Sequence, residues 1–445
     1  MKFRSRFAPS PTGLLHIGNA RSAVLNWAYI KNKGGEFILR IDDTDKERSN
    51  KEYEIKIKKD LNWLGITWEK TFNQSDRYEL YNKSINQLKL SKRIYPCFES
   101  FEELSLKKKS QLTSGRPPIY DRGALNLSDD QIDNLINSGK KPHWRFKLKD
   151  KKIEWNDLIK GKISFDSKNL SDPILIREDG SLLYHLPSVI DDIEEKITHI
   201  IRGEDHITNT AFHIEIFESL NTSIPEFGHH PFLTDETGKS FGKRLGGLSI
   251  QSMRENDFEN LTLLNYLFSI GTSSNLTTEK DINNLVNNFN INTLSTSSPK
   301  FSITVLNSLN KDILQSYTYQ DVQEKFQTLS KKDVNEKFWK FIKNNIGFFS
   351  ESLEWIDIIK SKNTFINEDK DYLCAAAKLL PDEPYDETSW DEWTSLIKDK
   401  TGKQGKELYM PLRIALTGRE KGPELKYLLP LINKNQILKK LGFIE

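Results

Sequence analysis

The window Arg6-Phe7-Ala8-Pro9-Ser10-Pro11-Thr12-Gly13-Leu14-Leu15-His16-Ile17-Gly18-Asn19 constrains this chain most. It reads as a short strand, a Pro/Gly turn and the first turn of a helix. Such a start suits a polyphosphate, because free backbone N–H groups and the positive end of the helix dipole face the ligand. His16 adds a side-chain donor, and Gly18 leaves room for a flat base against the backbone. The plainer alternative is a strand–turn–helix start with an incidental histidine. Two prolines, a Thr-Gly turn and Arg6 upstream, all in one window, weigh against it.

The alternation continues. Phe3 to Ala8 and Phe37 to Ile41 read as buried strands, and Asn19 to Lys31 and Glu52 to Leu64 as amphipathic helices. This pattern predicts an α/β fold with a doubly wound parallel sheet and ligands at the carboxyl ends of its strands. Pro96 to about Ile174 is different: lysine-rich, carrying Gly115-Arg116-Pro117-Pro118, with a strand candidate at Trp144 to Leu148. It reads as an insertion splitting the α/β domain. The α/β pattern resumes with Ile197 to Ile201 and a helix over Thr210 to Leu220. After Gly247 the character turns helical, with an apolar face over Leu261 to Phe268 and linker candidates at Gly271 to Ser274 and Ser295 to Pro299. From about Ser316 onward helices are expected throughout, their aromatic stripes serving packing rather than base stacking.

A chain of 445 residues is too long for one ordinary core, so two to four domains are expected. No apolar run follows the N-terminus, and no stretch approaches a membrane span, so neither secretion nor membrane insertion is expected. The two cysteines, Cys97 and Cys374, lie far apart and read as reduced thiols of a cytoplasmic protein. A net charge of +2 does not advertise nucleic-acid binding, but lysines cluster at 107–109, 140–141, 149–152 and 439–440. Solvated faces are the alternative for each cluster. Gly238-Lys239-Ser240 imitates the end of a P-loop, yet Leu233 stands where that loop needs glycine. No Gly-x-Gly-x-x-Gly follows the first strand, which argues against a nicotinamide cofactor, and no Cys/His cluster has metal spacing.

The sequence resembles the glutamyl-tRNA synthetases of the bacterial type, which are class I aminoacyl-tRNA synthetases. His16-Ile17-Gly18-Asn19 is similar to their first signature, HIGH, and Lys239 to Gly247 to the second, KMSKS. Between and after them, in the family's order, stand Phe37–Asp45, Leu61–Ile66, Gly115–Arg122, Tyr184–Asp192, Ile197–His206 and, late in the chain, Thr401–Lys406 with Met410–Gly418. The shared order of these blocks, over nearly the whole chain, is the specific signal.

The resemblance implies a class I Rossmann-like catalytic domain with an inserted acceptor-binding domain and an all-α C-terminal half. Residues 1–95 and 175–238 would be the two halves of the catalytic domain and 96–174 the insertion gripping the tRNA acceptor end. A signature loop and stem-contact domain would follow at 239–315, and an anticodon-binding domain at 316–445. The implied reaction joins L-glutamate to ATP, with Mg²⁺, and passes the glutamyl group to tRNA(Glu). Glutamate would meet Arg6, Ala8, Ser10, Asp42, Tyr184 and Arg202; ATP would meet His16, Gly18, Asn19, Glu204, Asp205, Lys243 and Arg244. His16 and Lys243 carry the catalytic roles, Lys243 toward the departing pyrophosphate. No structural zinc is expected, because Cys97-Phe98-Glu99-Ser100 lacks the Cys-x-Cys pair that some family members use. A cytoplasmic monomer is expected.

The chain departs from the family pattern at Asn19, Asp42 and Gly242, where the motifs carry His, Glu and Ser. Alternatives stay open: charging of tRNA(Gln) in addition or instead, a tRNA-binding paralogue without catalysis, and a small nucleotidyltransferase, which would have no use for the long helical half.

Overall fold

The computed structural model describes residues 2–239, 248–329, 334–361 and 369–444. Gly242, Lys243 and Arg244 lie outside the described residues. The chain forms two compact units: Met1–Glu255 with Leu263–Ser302, and Asn256–Thr262 with Ile303–Glu445.

The first unit is built on a parallel sheet of five strands. These are β1 (Arg4–Phe7), β2 (Glu36–Ile41), β3 (Lys70–Asn73), β9 (His199–Gly203) and β10 (Glu226–His230), in the order β10-β9-β1-β2-β3. From β1 the chain runs through helix α1 (Ile17–Asn32) to β2 on one side. From β9 it runs through α7 (Ile207–Ser219) to β10 on the other. The order therefore reverses between β1 and β9, and a crevice opens at the carboxyl ends of those two strands. A buried side chain holds them there. Asn26 accepts from the Ser5 hydroxyl at 2.6 Å and from the Ile201 N–H at 3.1 Å, and donates to the Ile201 carbonyl at 2.5 Å. The two strands pair in register only at Ser5 and His199.

Helix α1 departs from the amphipathic reading. Ala20, Val24, Leu25, Ala28 and Ile30 are fully buried, and so is Arg21. The helix packs against β1, β2 and β9 and also against the helix Ile282–Asn288, so it has no solvent face over most of its length.

The insertion has its own sheet: β4 (Ile94–Cys97), β5 (His143–Phe146) and β8 (Ile174–Ile176), all antiparallel. A hairpin of β6 (Lys152–Asp157) and β7 (Gly161–Asp166) stands apart from it. The insertion's helices α4 (Phe101–Thr113) and α5 (Asp129–Asn137) bury no residue, and each starts with a capping box, on Ser100 and Ser128. Helix α6 (His185–Glu194) leads back into β9.

The two linker candidates do not separate domains. The Gly271 carbonyl accepts from the Ser295 N–H at 2.7 Å, and both segments lie within the first unit. Gly271 has φ +74°, and a Cβ there would meet the Pro299 ring at 2.8 Å, which is why glycine stands at this turn.

The second unit is helical. Its tryptophans serve the core: the Trp339 indole donates to the Tyr317 carbonyl at 2.9 Å and Trp393 to that of Ala376 at 2.9 Å, both rings buried. Among the described residues no helix is long and apolar enough to cross a membrane.

Candidate active site

A cavity of about 380 Å³ fills the crevice at the strand ends. Arg6 enters it from β1, Ala8 and Ser10 from the turn after it, and His16, Gly18 and Asn19 from the start of α1. Asp42 follows β2, Tyr184 precedes α6, and Arg202 and Asp205 come from the end of β9. Glu204 does not line the cavity. Its carboxylate accepts from Lys160 Nζ at 2.6 Å and from the Phe232 N–H at 3.2 Å, so the neighbouring turn has taken it.

His16 has a structural task besides the expected phosphate contact. It is the N-cap of α1, and its Nδ1 accepts from the Gly18 and Asn19 N–H groups at 3.2 and 3.3 Å. Two of the backbone donors expected to be open are therefore capped. With Nδ1 accepting, the ring proton resides on Nε2, which remains a donor. A Cβ on residue 18 would meet the His16 ring at 3.1 Å, so the cap itself favours Gly18. The start of the helix Ile250–Glu255 packs beside this cap: Ser249, just ahead of it, pairs with His16, and the Ile250 N–H donates to the Leu15 carbonyl at 2.8 Å.

The cavity has two electrostatic halves. In one, arginines and carboxylates close on each other. Arg6 grips Asp192 through Nε at 3.0 Å and Nη2 at 3.3 Å. Arg40 grips both oxygens of Asp42 at 2.7 and 3.3 Å and reaches Asp192 at 2.9 Å. It also donates to Ser188, at the carbonyl and the hydroxyl. Arg40 is fully enclosed; burial opposes its charge, but Asp42, Asp192 and Asp191 hold its pKa well above the ordinary value. Asp191 behind them accepts from Gln74 at 2.7 Å and Tyr81 at 3.0 Å, and burial pushes it up to about 6.

In the other half no carboxylate among the described residues hydrogen-bonds the arginine, Arg202, although Asp205 lines the same cavity and the field of Asp192 reaches it. Arg202 donates to the Tyr184 hydroxyl at 3.0 Å, Thr210 Oγ1 at 2.6 Å and His229 Nε2 at 3.4 Å. His185, His206 and His213 surround Tyr184 at ring distances of 5.3–5.6 Å. Burial, then the Arg202 charge, depresses His185 to about 4 and His206 to about 3 and holds His213 well below its ordinary value, so all three are neutral at pH 7. Among the described residues no carboxylate pairs with Arg202. Arg21 is a second buried cation with no carboxylate hydrogen bond among the described residues, though the field of Glu204 supports its charge. It is fully buried and lines the cavity, and it donates to the Pro231 and Ile270 carbonyls; burial lowers it to about 10. The sequence reading missed Arg21, although Gly18, Arg21 and Ser22 share one helical face at i, i+3 and i+4. His206, His230 and the anchoring Asp192 were missed as well, although Asp192 and His206 close two of the family-like blocks.

One group of candidate metal donors comes together in the insertion. Cys97, Glu99 and His143 offer ligand atoms within 4.8 Å of one another. His143 joins from β5, 46 positions beyond Cys97, a spacing no metal motif flags. The Tyr120 hydroxyl donates to Glu99 at 2.7 Å and lies 3.6 Å from Cys97 Sγ, and burial pushes that thiol up to about 12. Three donors are one short of the four that structural zinc sites use, and the Glu99 carboxylate already accepts from Tyr120. The donor set does not fit a structural zinc.

Residues 2–308 match the family described as tRNA synthetases class I (E and Q), catalytic domain, and residues 311–444 match an anticodon binding domain. A protein of Maricaulis maris named glutamate–tRNA ligase 1 is 45% identical over 98% of each chain. Glutamate–tRNA ligase 2 of Hyphomonas neptunium is 43% identical over 98% of this chain and 99% of its own. In three dimensions a glutamate–tRNA synthetase of Elizabethkingia anophelis superposes with a TM-score of 0.84 at 25% identity, covering 99% of both chains.

Proposed function

From the premise that the chain belongs to the class I tRNA synthetases for E and Q, we propose that it is a glutamate–tRNA ligase. The α-carboxylate of glutamate attacks the α-phosphorus of ATP–Mg²⁺, expelling pyrophosphate and giving glutamyl-adenylate, and a hydroxyl of the terminal tRNA adenosine then attacks its carbonyl, breaking the acyl–phosphate bond and releasing AMP. Neither step needs a covalent enzyme nucleophile, so positioning and charge stabilisation carry the chemistry.

The observation that carries this reading is Arg202: a buried guanidinium lining the cavity, with no carboxylate partner among the described residues. Such a charge is stabilised by an anionic ligand that matches its fork. The side-chain carboxylate of glutamate supplies one, and the amide of glutamine leaves the charge unpaired. Asp42, oriented by Arg40, is an acceptor for the α-ammonium. His16 Nε2, Arg21 and the start of α1 favour the triphosphate. Lys243 and Arg244 are assigned to the leaving pyrophosphate. The insertion (96–174) grips the acceptor end, residues 239–315 the stem, and the helical part (316–445) the anticodon. The protein acts as a cytoplasmic monomer.

The test is aminoacylation of purified tRNA(Glu) and tRNA(Gln) with labelled glutamate and ATP–magnesium. Charging of tRNA(Glu) is expected, and the tRNA(Gln) arm decides whether the acceptor range is wider. Tight tRNA binding with no charging of either would replace this reading by the non-catalytic paralogue.

A further inference from the structure

Behind Arg202, outside the cavity, stands a chain of groups that the reaction scheme does not use. Asp157 ends β6 in the insertion, and its carboxylate is fully enclosed. Its Oδ1 accepts the backbone N–H groups of Ile159, Lys160 and His229, each at 3.0 Å. Its Oδ2 meets His229 Nδ1 at 2.5 Å. A carboxylate only accepts, so the His229 proton sits on Nδ1 and Nε2 carries a lone pair. That lone pair faces Arg202 Nε at 3.4 Å and Thr210 Oγ1 at 2.9 Å. Thr210 Oγ1 itself accepts from Arg202 Nη2 at 2.6 Å. Asp157, His229 and Thr210 are not among the cavity-lining residues.

We propose that Asp157 and His229 are positioning residues for Arg202. Asp157 fixes the imidazole tautomer, and the His229 lone pair then aims the guanidinium into the amino-acid pocket. Glutamate recognition thus depends on a residue of the inserted hairpin, which lies 45 positions before Arg202 in the chain. Were the proton on Nε2, a donor would face the donors of Arg202 and the fork would turn away. The proposal rests on the reading that Arg202 receives the substrate side-chain carboxylate. The simpler alternative is that Asp157 merely caps the β6–β7 turn through its backbone contacts.

The test uses the full chain in steady-state aminoacylation with Asp157→Asn, His229→Gln, His229→Leu and the double variant Asp157→Asn/His229→Gln. Asp157→Asn should raise KM for glutamate about tenfold or more, while KM for ATP and kcat at saturating glutamate stay within about threefold. His229→Leu should do the same. His229→Gln keeps a carbonyl acceptor in place of Nε2 and should stay near the wild type. In that background Asp157→Asn should add nothing, because glutamine has no tautomer to fix. An equal KM rise from Asp157→Asn in both backgrounds, or lost stability with KM for glutamate unchanged, would reduce Asp157 to a turn cap and overturn the proposal. Should Asp157→Asn fail to fold, an unchanged KM in His229→Leu overturns it, and a raised KM there with recovery in His229→Gln supports it. If Arg202→Gln itself leaves KM for glutamate untouched, the pocket assignment fails instead.

Discussion

Two of the arginines that face one cavity, Arg6 and Arg202, live in opposite surroundings. Arg6 is neutralised: it shares Asp192 with Arg40, whose fork closes on Asp42. Arg202 is held by hydroxyls and neutral imidazoles, with burial and its own field keeping the histidines uncharged. The first half is a finished network that fixes geometry. The second leaves its guanidinium without a carboxylate hydrogen bond, an imbalance that a ligand can complete. Removing a charge from the first half should therefore damage the fold, and removing one from the second should damage recognition.

The largest expected effect is on the unbalanced side. Arg202→Gln should lower kcat/KM for glutamate by about 10³- to 10⁴-fold, since a site built for a polar group loses that much when the pairing is broken. Thermal unfolding should show little loss, because no carboxylate is left behind. In the balanced half, Arg40→Gln strands Asp42, leaves Asp192 to Arg6 alone, and should cost about 3–5 kcal/mol in denaturant unfolding. Equal stability losses in the two variants would erase the contrast.

A smaller effect concerns pH. Burial opposes the Asp157 charge, but the hydrogen bonds from His229 and backbone N–H groups hold it down to about 2, against an ordinary 3.8. A depressed carboxyl contributes stability that is present above its unfolded value and is lost as pH falls through the folded one. Between pH 5 and pH 2 the wild type should thus lose about 2 kcal/mol more than Asp157→Asn, measured by urea unfolding at each pH. The smallest effect is Ser188→Ala, which removes one hydroxyl 3.3 Å from Arg40 Nη2 and should cost about 1 kcal/mol.

The sequence made legible what is local and periodic. The apolar run at Phe37–Ile41 and the turn before His16 predict β2 and the start of α1 because each carries its own signal. Strands β3, Lys-Thr-Phe-Asn, and β10, Glu-Phe-Gly-His-His, carry none. They are strands because β2 and β9 offer open edges for parallel pairing. The same division holds in the site. Arg6, Asp42 and Arg202 stand in motifs, so their presence at one cavity was readable. Their surroundings were not: Asp192 lies 186 positions from Arg6, and Asp157 lies 72 from His229. His16 shows the subtler limit, since a capping acceptor and a phosphate donor look alike in sequence and differ only in which ring nitrogen does the work.

The unbalanced charge at Arg202 is tested most directly by the ratio of kcat/KM for glutamate to that for glutamine, measured on tRNA(Glu) for the native chain and for Arg202→Gln. A native ratio of about 10⁴ or more that collapses by at least a hundredfold in the variant is expected. A ratio that survives the substitution unchanged would contradict the assignment of recognition to that guanidinium.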